Sequence, residues 1–281
     1  MKKVILLYMM AVLSMMFISC DKDEANNVHN NSNYDNFDGG SGSGEDYTGT
    51  GSANQDYPAT AIVIHNAVTD IDGNRYDAVR IGDQVWMAEN LRTTHYANGE
   101  AIPLVNTCSY LYPCRYTPYD NISNVATCGY LYNWAAVMNG ANSSSDNPSG
   151  VQGICPAGWH VPSDAEWTQL SDYCLTREEY ICDSYGNNNN AKALASKHGW
   201  SYYQGECSIG YDTNTNNATG FSVIPTGQMG FFGEFTFFWS TTNDDEFDLE
   251  THCRCLSPER VNLIRISVLK NEGISVRCVR D

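Results

Sequence analysis

The sequence predicts a loop-rich α+β domain behind a signal segment and a flexible tether. Three observations carry this prediction. First, Ser163 and Glu166 form a capping box, in which the hydroxyl serves an orphan helix N–H and the carboxylate reaches back. Trp167, Leu170 and Cys174 then recur at helical spacing. Second, Tyr76-Asp-Ala-Val-Arg-Ile81, a turn, and Gln84-Val-Trp-Met87 read as a β-hairpin. Third, the 281 residues are 12% aromatic and only 17% charged, with 23 glycines and 18 tyrosines, a balance that suits a loop-rich extracellular domain better than a helical bundle.

The 11 cysteines are too many for an ordinary cytosolic enzyme. With Cys20 set aside for lipid, the other ten are an even number that five disulfides would use up. The rival reading is metal. However, the short spacings Cys108-x5-Cys114, Cys174-x7-Cys182 and Cys253-x-Cys255 are not zinc-knuckle pairs, and no paired histidines follow, so disulfides are preferred. A net charge of −17 speaks to solubility, and such an acidic chain is a poor match for nucleic acid or anionic lipid.

Along the chain, residues 1–19 read as a signal peptide. Lys2-Lys3 supply the basic end, and Val4 to Ile18 form an apolar run too short to span a membrane comfortably. Phe17-Ile18-Ser19-Cys20 resembles a lipobox, which makes Cys20 the acylated residue. Residues 20–60 are rich in Asn, Gly, Ser and Asp and cannot bury enough apolar surface to offset ordering entropy, so they read as a tether. The Gly39–Gly44 run lacks the lysine of a phosphate loop.

Residues 61–281 form the domain. Ala61 to Val68 is a first strand. Asp70-Ile-Asp-Gly-Asn-Arg-Tyr resembles the start of a calcium loop, but Arg75 stands where that loop needs glycine. Asp72-Gly73 is instead read as a turn. Cys108 to Cys128 is a Tyr- and Pro-rich loop, Tyr130 to Met138 a short apolar helix, and Asn139 to Gly150 a polar loop. Ala191 to Lys197 reads as a second helix, stopped at Gly199. Strands and long loops follow Trp200, and Ile274 to Val279 is a closing strand.

The segment Cys155-Pro-Ala-Gly-Trp-His-Val-Pro-Ser-Asp-Ala-Glu-Trp167 resembles the signature of the Fibrobacter succinogenes major paralogous domain, a family common in Bacteroidetes lipoproteins. Four more pieces agree in the family's order: Asp72 to Leu91, Gly129 to Trp134, Gly220 to Pro225, and Ser275 to Arg280. The resemblance covers roughly residues 61–281. It implies a C-type-lectin-like fold with two main helices, antiparallel strands and long disulfide-bonded loops, related in shape to the sulfatase-modifying enzymes. It also implies display on the outer membrane, since Asp21-Lys-Asp-Glu24 resembles a surface-export tag. In lectin-like folds a late strand returns beside the early core, which implies a Cys155–Cys278 disulfide. Cys108–Cys114 and Cys174–Cys182 are further candidate pairs, because sequence does not fix connectivity.

No Gly-x-Ser-x-Gly and no His-Glu-x-x-His occurs. The six histidines are scattered, and His160 is read as packing and hydrogen bonding. The sulfatase-modifying enzymes use two late cysteines. Here only Arg254 separates Cys253 from Cys255, and strand positions two apart point the same way, so each is read as pairing elsewhere. Asp244, Asp245 and Asp248 follow Trp239-Ser-Thr-Thr-Asn, where C-type lectins hold calcium with hard oxygen donors. The lectins' own triplets are missing, and a solvated acidic loop is the preferred reading over calcium.

Phe235, Phe237, Phe238 and Trp239 suit a core strand. Tyr202, Tyr203 and Phe232 are left as loop residues able to stack on a ligand. The expected function is a non-catalytic binding or adhesion module for glycan or protein, with calcium as the one cofactor in view. A structural envelope or pilus-tip role that predicts self-association stands second, and a thiol-dependent oxidase third.

Overall fold

The computed structural model describes residues 57–184, 187–227 and 234–281. The signal segment, Cys20, Phe232 and the tether before Tyr57 lie outside the described residues. Strand β1 (Ile62–Thr69) pairs antiparallel with β2 (Arg75–Ile81), which pairs with β3 (Gln84–Met87). The β1–β2 turn is closed by its own amides. The Asp70 carboxylate accepts from the N–H of Asp72 at 3.0 Å, the N–H of Asn74 at 2.9 Å and the Tyr76 hydroxyl at 2.6 Å. Gly73, at φ +85°, takes the left-handed position that side chains avoid. The segment resembling a calcium loop is therefore a side-chain-buttressed turn.

The remaining strands are β4 (Arg115–Tyr116), β5 (Leu131–Tyr132), β6 (Trp159–His160), β7 (Cys182–Ser184), β8 (Asn187–Asn189), β9 (Thr236–Asn243), β10 (Glu250–Leu256), β11 (Ile264–Leu269) and β12 (Val279–Arg280). The main sheet runs β1-β2-β3-β12-β6, with every pairing antiparallel, and β9, β10 and β11 form a second antiparallel sheet. The helices are α1 (Val125–Cys128), α2 (Trp134–Met138), α3 (Asp164–Leu175) and α4 (Ala191–Leu194). The fold is thus mixed α/β, dominated by antiparallel sheet.

Helix α3 starts at the capping box. Ser163 Oγ accepts from the Glu166 N–H at 3.2 Å, and Glu166 Oε2 accepts from the Ser163 N–H at 2.9 Å. Its Trp167, Leu170 and Cys174 are wholly buried. The Trp167 ring lies 4.5 Å from Trp86 on β3 and 5.4 Å from Phe238 on β9, so this helix face joins the two sheets. Asp164 receives Arg254 of β10 at 2.6 and 2.9 Å and Arg265 of β11 at 3.3 Å, which ties the helix start to the second sheet. Arg277 is fully buried, over Phe221 at 4.4 Å, and donates to Asn90 Oδ1 at 2.9 Å, to Ser222 O at 3.1 Å and to Phe221 O. Burial pulls its pKa down to about 9.

Two helix expectations need correction. The expected pair of main helices is one, because Ala191 to Lys197 yields only the four residues of α4. Ala195 leaves the helix to bridge Val223, whose carbonyl takes the Ser196 N–H at 2.7 Å, and so short a helix has little intrinsic stability to resist this. Likewise, Leu131 and Tyr132 are strand rather than helix. Helix α2 begins after Asn133, whose side chain accepts from the Ala136 N–H at 3.0 Å.

Among the described residues there are three disulfides: Cys108–Cys114, Cys155–Cys278 and Cys182–Cys207. Cys128, Cys174, Cys253 and Cys255 are buried free thiols, so five bridges is an overcount. The Cys174–Cys182 pairing is wrong. Cys174 lies on the core face of α3 with Trp167 and Leu170, acting there as a small hydrophobe, and Cys182 reaches Cys207 instead.

His160 bridges two carboxylates, with Nε2 2.7 Å from Glu166 Oε1 and Nδ1 2.7 Å from Asp281 Oδ1. Burial lowers its pKa, but the two carboxylates outweigh burial, and the net shift is upward from 6.5. A raised folded pKa adds stability that is full below the unfolded value and is lost as pH climbs through the folded one. Thermal melts should therefore show the wild type losing stability through this group as pH rises above about 6.5, with a flatter profile in His160→Gln. Equal slopes in the two proteins would contradict the assignment.

Candidate functional site

The loop running from Trp200 to Asn217 is built from its base outward. The Cys182–Cys207 bridge holds it to β7. The Tyr203 N–H bonds to Gly210 O at 3.3 Å, bringing two tyrosine-bearing segments side by side. Only glycine allows this approach, since a β carbon at Gly210 would lie 2.4 Å from Ser201 O. The Gly210 N–H then reaches Pro258 O at 2.8 Å and the Ile209 N–H reaches Arg260 O at 3.1 Å, docking the loop on the β10–β11 connection. Ile209 is buried beneath it.

The central post is Lys192 of α4. Its side chain is only 7% exposed, and Nζ donates to three backbone carbonyls: Ser208 O at 3.3 Å, Asp212 O at 3.1 Å, and Tyr211 O. Burial lowers the Lys192 pKa, against a smaller opposing pull from Asp212. On the outer surface, Tyr202 is 74% exposed, Tyr203 46% and Tyr211 41%. Gln204, Glu206, Asp212 and Asn214 are exposed around these rings. Tyrosine offers large, stiff contact area at low entropic cost, so a braced loop carrying three such rings presents a preformed aromatic surface.

The acidic residues stand elsewhere. Asp244, Asp245 and Asp248 occupy the β9–β10 turn, at the Glu250 end of β10. The tyrosine loop docks beyond the Leu256 end, which a strand of this length places about 20 Å away. Asp244 accepts from Ser267 Oγ of β11 at 2.5 Å and from the Glu246 N–H of its own turn at 2.8 Å, and these bonds hold its pKa below the usual carboxylate range. Asp245 and Asp248 are exposed. Among the described residues no three His, Cys, Asp or Glu side chains converge into a metal-holding group. Asp244, Asp245 and Asp248 thus lie in an acidic turn whose first member is already bonded.

Cys253 and Cys255 do not meet the requirements of an oxidase pair. Both are buried, and burial pushes the Cys255 thiol to about 12 and the Cys253 thiol well above its ordinary value. Thiol chemistry needs an accessible thiolate. His95 lines a cavity of about 220 Å³, and its Nδ1 lies 2.6 Å from the Asp72 carboxylate. Burial pushes the Asp72 pKa up, but bonds from the Thr94 N–H, His95 and Thr93 hold it at about 2. That carboxylate is spent on tying the β1–β2 turn to the segment of Thr93, Thr94 and His95.

Sequence reasoning brought Tyr202 and Tyr203 forward and missed Tyr211 and Lys192. Nothing local singles Lys192 out, since the Ala-rich segment from Ala191 to Lys197 carries two lysines and only the fold shows which one is buried. Among the described residues no helix is long and apolar enough to cross a membrane.

Fold and site together define a disulfide-braced, antiparallel α/β domain that presents an aromatic loop. A family model for the Fibrobacter succinogenes major domain matches residues 79–280, well over half of the chain, and the chain belongs to that family. No curated protein and no solved structure matches it.

Proposed function

We propose that the chain is a non-catalytic binding module, anchored in the outer membrane by lipid on Cys20 and exposed to glycan or protein ligands. The observation that carries this reading is the braced loop with Tyr202, Tyr203 and Tyr211 exposed. The exposed part of those rings is the kind of surface that a sugar face or a flat protein surface would cover. The fold is read as C-type-lectin-like. This is supported by a late strand returning beside the early core and by the Cys155–Cys278 bridge that joins them. The anchor is supported by Lys2-Lys3, the short apolar run and the Ser19-Cys20 junction.

One experiment with three strains tests both parts. Cells carrying the wild-type chain should capture a ligand from a fluorescent glycan array or a panel of host proteins. The Tyr202→Ala/Tyr203→Ala chain should bind about tenfold more weakly, equivalent to about 1.4 kcal/mol. Cys20→Ala should release binding activity into the soluble fraction. Undiminished binding by the tyrosine variant would refute the site, and membrane retention of Cys20→Ala would refute the anchor.

A further inference from the structure

We propose that the tyrosine loop takes an uncharged glycan by direct contact, with no bridging metal ion, because the Lys192 ammonium already holds the cation position that organises the loop. This rests on the reading of Tyr202, Tyr203 and Tyr211 as ligand-facing.

The carbonyls of Ser208, Tyr211 and Asp212 converge on Nζ. Hard oxygens gathered around one positive charge are the surroundings a calcium ion receives in a calcium-organised loop. Here the charge is covalently tethered to α4. It cannot dissociate, be chelated or exchange, so the loop keeps its form at any calcium concentration. The acidic turn of Asp244, Asp245 and Asp248 lies about 20 Å away, at the other end of β10, and the loop's own Glu206 and Asp212 do not join it or each other in any group of three candidate metal ligands among the described residues.

The rim of the loop selects the ligand class. Glu206 and Asp212 are exposed there, and no Lys or Arg occurs from residue 198 to residue 253. Arg260, on which the loop docks, is paired with Glu259 at 3.8 Å, so the acidic rim repels uronates and sulfated sugars. Carboxylates and the amides of Gln204 and Asn214 can instead bond to sugar hydroxyls beside rings that stack on sugar faces. A protein hot spot would need a drier rim, with neighbours that exclude water.

The test uses the full-length protein in detergent, with calorimetry against neutral polysaccharides (β-glucan, xylan, mannan) and against polygalacturonate, each in EDTA and in millimolar calcium. A neutral polymer should bind within about twofold in the two buffers, polygalacturonate should not bind, and Tyr202→Ala/Tyr203→Ala should weaken binding of the neutral polymer about tenfold. Lys192→Met should weaken binding about tenfold or more and raise amide exchange across residues 205–215 while leaving exchange in α3 unchanged. If Lys192→Met does not fold, the chelator and polymer arms on the wild type still decide.

Calcium-dependent binding, or preferred binding of polygalacturonate, lost in the tyrosine variant would overturn this inference and leave the binding-module reading intact. A ligand found only among proteins would do the same. A blank on glycans and proteins alike would overturn both.

Discussion

Replacing Cys155 and Cys278 together by alanine is expected to destabilise the domain by about 4–5 kcal/mol and to lower its melting midpoint by roughly 10–20 °C. The bridge spans 123 residues, so in the chain-entropy view it removes far more freedom from the unfolded chain than a local bridge does. Both sulfurs are wholly buried within the larger core cluster, so alanine also leaves unfilled space. The control is Cys108–Cys114, which closes a separation of only 6 and should contribute about 2 kcal/mol. Urea titrations of the two double variants read the difference directly. If the short bridge proves as stabilising as the long one, the ranking by loop length fails.

The second large effect is at Asp164. Asp164→Ala is expected to cost about 3–5 kcal/mol, because it leaves the Arg254 guanidinium, only 6% exposed, as an uncompensated buried charge. It also removes an acidic residue from the first turn of α3, a smaller loss. Arg265→Ala should matter far less, within about 1 kcal/mol, since that side chain is 57% exposed and water screens its pairing with the same carboxylate. Denaturant midpoints separate the two variants. Near-equal losses would mean that Asp164 acts chiefly as a helix-start residue rather than as a partner for Arg254.

How far the sequence reveals this fold depends on how local each signal is. The capping box at Ser163 and the Asp72-Gly73 turn are decided within a few residues, and both are found where the pattern puts them. The second helix was misjudged because its end is set by a distant partner. Ala195 and Ser196 have good helical neighbours, but Val223 draws them into an extended bridge. The Cys182–Cys207 pairing and the burial of Cys174 likewise depend on which face of α3 meets the core.

The site shows the same division. Tyr202 and Tyr203 could be picked out as loop aromatics, whereas Lys192 could not. A lysine in a short helix reads as solvated surface until the fold brings three carbonyls to it. The acidic run after Trp239 was a composition signal, and composition cannot say whether carboxylates converge.

The place of β12 in the main sheet has a consequence for how the protein comes into being. That strand sits between β3 and β6, and Cys278 beside it bonds back to Cys155. A chain delivered N-terminus first therefore holds β3 and β6 apart, with their inner edges unpaired, until residues near 280 arrive. Folding must be late and concerted rather than progressive, which favours slow kinetics and aggregation-prone waiting states. Any oxidant that acts on Cys155 before Cys278 is within reach can only give it the wrong partner. The timing of thiol oxidation, as much as the sequence of the core, thus governs the yield of native protein.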